Sequence, residues 1–314
     1  VTTVIALRVL LVVNAFASSV TARNRVLVEQ VLGETNDVTV RETNRRGHAT
    51  RFAQDAARRG VDVVVAFGGD GTVNEVADGI VGSDTALACL PGGSTNVFAR
   101  AIGLPNDPVE AVGVLADALA AGSIAPIGLG SVDGRVFCFH TGIGFDAAVV
   151  ARVEQRASLK RWLGHPLFIW AALSTWAGAE RRRPGHVVTL PDGTEEPGAF
   201  TVVLNTNPYT FLGNRPIALS PAATLDRGLV AVTFRTIDAA TLLGGLGRAL
   251  IGDGVRPGQR LALHTDLAGL SVRAVGDARI PYQVDGDYLG ETRHLELRHL
   301  PDAVKLVRPL SRAP

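Results

Sequence analysis

The stretch "VVVAFGGDGTVNEVADGI", residues 63–80, decides the fold. It opens on an apolar run, as in a strand buried on both faces. Three glycines wrapped around Asp70 follow, and a helix-like pattern sets in near Thr72. Glycines at such a point let the backbone turn tightly and approach a ligand without interference from Cβ. Successive amides ahead of a helix N-terminus form a concavity suited to phosphate. A carboxylate inside that concavity repels phosphate unless a cation lies between them, so Asp70 points to Mg2+ arriving with a nucleotide. The same spacing also reads as a strand-to-helix turn in which Asp70 only caps its own helix. Neither the P-loop pattern nor the dinucleotide G-x-G-x-x-G pattern fits.

Outward from this stretch, the chain up to about residue 125 alternates strand and helix. "LRVLLVV", "DVTVRET", "DVVVAFG" and "LACLPG" read as short buried strands. Ala49, Phe52, Ala53 and Ala56, and earlier Leu27, Val28, Val31 and Leu32, recur at helical spacing, as on helices packing against a sheet. This βαβ series implies a mostly parallel sheet. A second glycine turn, "LPGGSTNVFARAIGLP" at 90–105, brings Ser94, Thr95 and Asn96 to the C-terminal side of the sheet, where open α/β sheets bind ligands. Two such turns on consecutive strands point to a phosphate site.

From about residue 126 the rhythm changes. "SVDGRVFCF", "HVVTLPDGTEEPGAFTVVL" and "PYQVDGDYLG" each set Asp-Gly between strand-like runs, a hairpin signal. The expectation is an α/β domain over 1–126, with 303–314 returning to it, and an antiparallel β-sandwich-like domain over 127–302. One helix-like exception, 162–183, carries Trp162, Trp170 and Trp176 ahead of Arg181, Arg182 and Arg183. It reads as a helix buried against the β domain, with its arginines complementing the helix dipole. The rival is a monotopic membrane contact.

The 314 residues suit about two domains. With 46% hydrophobic and 19% charged residues the chain is globular, and a net charge of +1 argues against a nucleic-acid partner. Cys89 and Cys138 read as reduced, buried thiols of a cytoplasmic protein. The apolar residues 1–13 read as a first strand and not a signal peptide, and no run reaches the roughly 18 apolar residues that span a bilayer. Any membrane contact is therefore peripheral, at the inner face. The histidines form no H-E-x-x-H or Cys/His cluster, which argues against zinc. His48, after Gly47, is either a solvated helix start or a phosphate neighbour.

At these residues the chain resembles the diacylglycerol kinase catalytic-domain family, lipid kinases distantly related to NAD kinases. "GGDGTVNEVADGI" is similar to that family's GGDGT-x-NEV-x-NG, with Asp78 for Asn, and "PGGSTNVFARAIGLP" to its P-x-GT-x-NDFAR-x-L-x-LP. The similarity runs from "VVNAFASS" to "LVRP" and looks actinobacterial. It implies a Rossmann-like, NAD-kinase-type α/β domain that takes ATP with Mg2+. It also implies transfer of the γ-phosphoryl group to a lipid hydroxyl at a membrane surface, most simply that of diacylglycerol. A nucleotide site is implied at Asn14, Thr43, Gly68, Gly69, Asp70, Gly71, Thr72, Val73, Asn74, Glu75, Ser94 and Asn96, with Asp70 on the catalytic magnesium. The family's DGE reads here as Asp285, Gly286, Asp287, so Asp287 stands where the general base is expected. A hairpin turn with no chemical role is the alternative from spacing.

Three departures stand against this. "NAFASS" lacks the first turn's glycine, and Val97 replaces an Asp. Arg227 in "LDRG" follows Asp226 where a second Asp would help hold a structural magnesium. A kinase of a soluble substrate such as NAD, or a nucleotide-binding protein without catalysis, are the rival readings. A homodimer is compatible with all of them.

Overall fold

The computed structural model describes residues 6–144, 185–236 and 239–310. The helix-like stretch 162–183, with its tryptophans and arginines, lies outside the described residues. The chain divides into two compact units, one within Val1–Ile127 and Asp302–Pro314, the other within Gly128–Pro301.

The first unit runs β1 (Arg8–Asn14), α1 (Ala22–Gly33), β2 (Asp37–Thr43), α2 (His48–Arg58), β3 (Val63–Gly68), α3 (Asp70–Ile80), β4 (Ala86–Pro91), α4 (Val97–Ala101) and α5 (Pro108–Ala120). Its strands lie in the order β2-β1-β3-β4, all parallel. The end of the strand His294–Val307 adds a further parallel neighbour to β4, Lys305 facing Ala86 and Leu306 facing Leu87. Every residue of β3 and β4 is buried, as their unbroken apolar runs require. β2 departs from the expectation of a strand buried on both faces. It pairs only with β1, so it is an edge strand, and its Asp37, Thr39, Arg41 and Glu42 are exposed.

Local signals set the helix boundaries. Thr21 caps α1 by accepting the Asn24 amide, and Asp107 caps α5 by accepting those of Val109 and Glu110. Pro108 opens α5, where its missing N–H costs nothing. α2 packs on α3 and α1 on α5. The chain leaves β1 towards β2 but leaves β3 towards β4, so the strand order reverses between β1 and β3.

The second unit is antiparallel throughout its described pairs. β5 (Ile124–Val132) turns at Asp133-Gly134 into β6 (Arg135–Phe137), and both turn residues have positive φ, the type I′ requirement. β7 (His140–Gly144), β8 (His186–Thr189), β9 (Glu195–Gly198), β10 (Phe200–Leu204), β11 (Thr210–Leu212), β12 (Arg215–Ile217) and β13 (Leu229–Phe234) follow. Then come the helix Ala239–Leu250, β14 (Leu261–Leu267), β15 (Gly269–Ala274), β16 (Ile280–Val284), β17 (Asp287–Thr292) and β18 (His294–Val307). One sheet has the order β14-β13-β10-β7-β16-β17; β9, β8, β15 and the start of β18 form another.

Val203, Ile143 and Val284 of the first sheet share a core with Val188, Val272 and Leu297 of the second, which makes a sandwich. Along β10 the residues alternate, with Val203 in that core and Val202 and Leu204 in another on the opposite face. The Asp-Gly pairs at 133–134, 192–193 and 285–286 all fall in hairpin connections, as their flanking patterns led one to expect. Cys89 and Cys138 are buried free thiols, one in each unit.

Candidate functional site

In the first unit the carboxyl ends of β1 to β4 lie along one edge. Register sets Asn14 beside Thr43 and Gly68 beside Pro91. Asn14 and Gly68 end the two strands that flank the reversal of strand order, the place where open α/β sheets leave a crevice for a ligand. Asn14 Nδ2 donates to Thr72 Oγ1 at 3.2 Å, and Asn14 Oδ1 accepts the Phe16 amide at 3.1 Å. One side chain thus ties the first turn to α3, although that turn lacks its glycine.

The two glycine turns pack backbone on backbone. A Cβ on Gly92 would come within 2.7 Å of Gly68 Cα, and one on Gly93 within 2.8 Å of Gly69 Cα. The Gly92 amide donates to the Gly68 carbonyl at 2.8 Å. These glycines therefore serve the contact between the turns, a use that ligand approach alone does not reveal.

Asp70 completes that contact. α3 begins at Asp70 itself, earlier than Thr72, with Gly69 as its N-cap residue. The Asp70 carboxylate reaches beyond its own helix to the second turn. Its Oδ2 accepts the Val97 amide and its Oδ1 the Phe98 amide, each at 3.0 Å, so it caps α4 in the second turn. Its charge is felt nearby. Burial, then the Asp70 charge, pushes the Cys89 thiol well above its ordinary range. Burial lowers the pKa of Arg100, and Asp70 opposes that shift. Arg100 also donates to the Thr95 carbonyl at 3.4 Å. It was not singled out from the sequence, although it stands two residues beyond Phe98 in the same motif.

The remaining expected residues divide by environment. Thr43, Thr72, Val73 and Asn74 are buried, and Ser94 is exposed on the second turn. Asn96 is buried at φ 52°. Its side chain closes the turn, accepting the Gly93 amide at 2.7 Å and donating to the Gly93 carbonyl and to Asn106, each at 2.8 Å. Glu75 turns towards α2, where its carboxylate accepts the amides of Gly47 at 2.8 Å and Ala49 at 3.0 Å. His48 opens α2 and accepts from Arg45 Nε at 2.7 Å. Val97, in place of an Asp, is buried.

Among the described residues no three His, Cys, Asp or Glu side chains gather as a metal cage. A magnesium carried by a nucleotide needs few protein ligands, because phosphate oxygens and water supply the rest. A carboxylate such as Asp70, at the lip of both turns, fits that small requirement, since each oxygen accommodates more than one partner. Asp226 and Arg227 are exposed, and the neighbouring Gly228 amide donates to Asp266 at 2.9 Å.

In the second unit, Asp285 and Gly286 form a turn with φ values of 47° and 82°, and Asp287 is the first residue of β17, opposite Val284. Asp285 is only 5% exposed, and its carboxylate accepts three consecutive amides: Cys138 at 2.7 Å, Phe139 at 3.0 Å and His140 at 3.1 Å. The sequence reading passed over Asp285 in favour of Asp287. The order Asp-Gly-Asp nevertheless makes the first Asp the turn residue and the second a strand residue.

Residues 8–132 match the family model for the diacylglycerol kinase catalytic domain. A Pseudomonas aeruginosa (strain UCBPP-PA14) protein named "Probable lipid kinase YegS-like" is 30% identical over 281 residues, 87% of this chain and 85% of that protein. The diacylglycerol kinase of Bacillus subtilis (strain 168) is 38% identical over 195 residues, 62% of this chain and 61% of its own. The crystal structure of a diacylglycerol kinase from Bacillus anthracis str. Sterne superposes with a TM-score of 0.72 at 23% identity, covering 96% of each chain, a likeness of fold. No described helix is long and apolar enough to cross a membrane.

Proposed function

Since the chain belongs to the diacylglycerol kinase catalytic-domain family, and so is a lipid kinase, a phosphotransferase with an alcohol acceptor, we propose that it phosphorylates diacylglycerol to phosphatidic acid. ATP is the donor. The observation that carries this reading is the pair of glycine turns, locked together by Asp70 at the edge where β1 and β3 diverge. Amides and small hydroxyl groups there suit a triphosphate.

Asn14 and Thr72 hold the first turn against α3, and Asp70 sets the spacing of the two turns that receive the phosphates. Asp70 would hold magnesium when it is bound, and the ion would supply neutralisation of charge on the transferring phosphoryl group. Asp287 accepts the proton of the lipid hydroxyl as the oxygen–phosphorus bond forms and the bond to the ADP oxygen breaks. A positioned base of this kind typically contributes about 10²–10⁴ in rate. Asp287 is one methylene shorter than the usual Glu, so its position along the hairpin matters more.

The test is transfer of labelled γ-phosphate from Mg·ATP into mixed micelles containing diacylglycerol, followed by organic extraction, with Asp287→Asn as control. Labelled phosphatidic acid from the parent protein, reduced at least about 10²-fold in the variant, is expected. Label appearing only in a soluble acceptor such as NAD, or full activity of the variant, would overturn the reading.

A further inference from the structure

The hairpin that carries Asp287 is fastened at its turn, where hairpins usually face water. Four bonds hold it. The Asp285 carboxylate takes the three amides of Cys138, Phe139 and His140, and the Asp285 amide donates to the His140 carbonyl at 2.9 Å. Beside these, the Gly286 amide donates to Gln283 Oε1 at 2.7 Å, and Thr141 Oγ1 donates to the Gln283 carbonyl at 2.5 Å. The receiving segment is itself held. Asn205 Nδ2 donates to the Cys138 carbonyl at 3.0 Å, and the Asn205 amide to the Phe139 carbonyl at 2.8 Å.

Burying a carboxylate is costly unless every lone pair finds a donor. A short hairpin needs no such group: its turn geometry is met by Asp-Gly alone, through positive φ at both residues. The three-amide clasp therefore does something the turn does not require. It fixes residue 285 against β7, and Asp287 stands two residues on, in register with Val284 of β16, which pairs with Thr141 of β7.

We propose that Asp285 is a positioning residue, whose clasp on the Cys138–His140 amides holds the hairpin so that Asp287 meets the lipid hydroxyl in the geometry for proton transfer. This rests on the reading of Asp287 as proton acceptor. A misplacement of about 1 Å costs on the order of 10² in rate, which a shorter-than-usual carboxylate cannot make up by reach.

The test is a double-mutant cycle on the full chain, read as kcat and as KM for ATP in the micelle assay. Asp285→Asn keeps the shape but sets an NH2 group against amide donors. We expect it to lower kcat about 10- to 10²-fold, with KM for ATP within about twofold of the parent. In an Asp287→Asn background the same change is expected to cost less than about twofold, because the group through which it acts is already gone. An equal loss in both backgrounds, or a loss confined to KM, marks a structural role and overturns the proposal. Full activity of Asp287→Asn overturns instead the reading on which it rests. If Asp285→Asn does not fold by circular dichroism, Thr141→Val, which removes the Gln283 contact at nearly constant volume, decides. A several-fold loss of kcat that vanishes in the Asp287→Asn background supports the proposal, and unchanged kcat overturns it.

Discussion

Asp70 shows how much of a site one carboxylate can build. Its two oxygens answer amides 27 and 28 residues further along the chain, so the turn at β3 is built from the turn at β4. Hydrogen bonds to a charged acceptor are worth about 1.5–3 kcal/mol each. Asp70→Asn leaves one amide facing a donor, and a loss of about 1–3 kcal/mol in urea unfolding of the first unit is expected, together with loss of phosphoryl transfer. Unchanged stability would mean that the clasp is not formed in solution. The motif was legible in the sequence, and so was its place at a strand end. The partner of Asp70 was not, because spacing within 63–80 offers only the helix that follows. Asp285 was missed for the same physical reason on a larger scale: its partners lie 145 to 147 residues away.

Elements were more legible than contacts. Unbroken apolar runs marked β3 and β4, and Asp-Gly marked the hairpins, since both signals are local. β2 misled because β-branched residues say strand, whereas only the neighbours say edge or centre. The packing of α2 on α3 was equally hidden. It depends on Gly79, where a Cβ would come within 2.6 Å of the Thr50 carbonyl and 2.7 Å of Ala53 Cβ. Gly113 in α5 has nothing within 4 Å of that position. The same substitution should therefore act in opposite directions. Gly113→Ala is expected to stabilise by about 0.5–1 kcal/mol through helix propensity. Gly79→Ala is expected to destabilise by about 1–3 kcal/mol, as overpacking outweighs that gain. Equal shifts in the two thermal unfolding curves would refute this account of the helix pair.

At the scale of the whole molecule, the two units differ in their response to acid. His186 is buried in the second unit, with Nε2 2.8 Å from Thr201 Oγ1, which in turn donates to Thr233. His140 is buried there against Phe139 and Tyr209. Burial brings His140 down to about 3 and His186 to about 4, from 6.5. Each therefore takes up protons more readily in the unfolded chain. Their contribution is fully present above 6.5 and is lost as pH falls towards 4 and then 3, amounting to about 2 kcal/mol for each by pH 5. The first unit holds only His48. Hydrogen exchange at β10 and β3 should show protection falling between pH 7 and 5 in β10 far more than in β3. A parallel fall in both would remove the assignment.

The return of β18 to β4 has a consequence for how the chain is made. β4 is buried along its whole length, yet one of its neighbours is supplied by Lys305 and Leu306, which leave the ribosome only after the entire second unit. Until then the nascent first unit carries an apolar strand with an open hydrogen-bonding edge, the kind that recruits other chains. A stretch made more than 200 residues later thus closes the edge of β4, and a chain released before residue 305 would carry that edge uncovered.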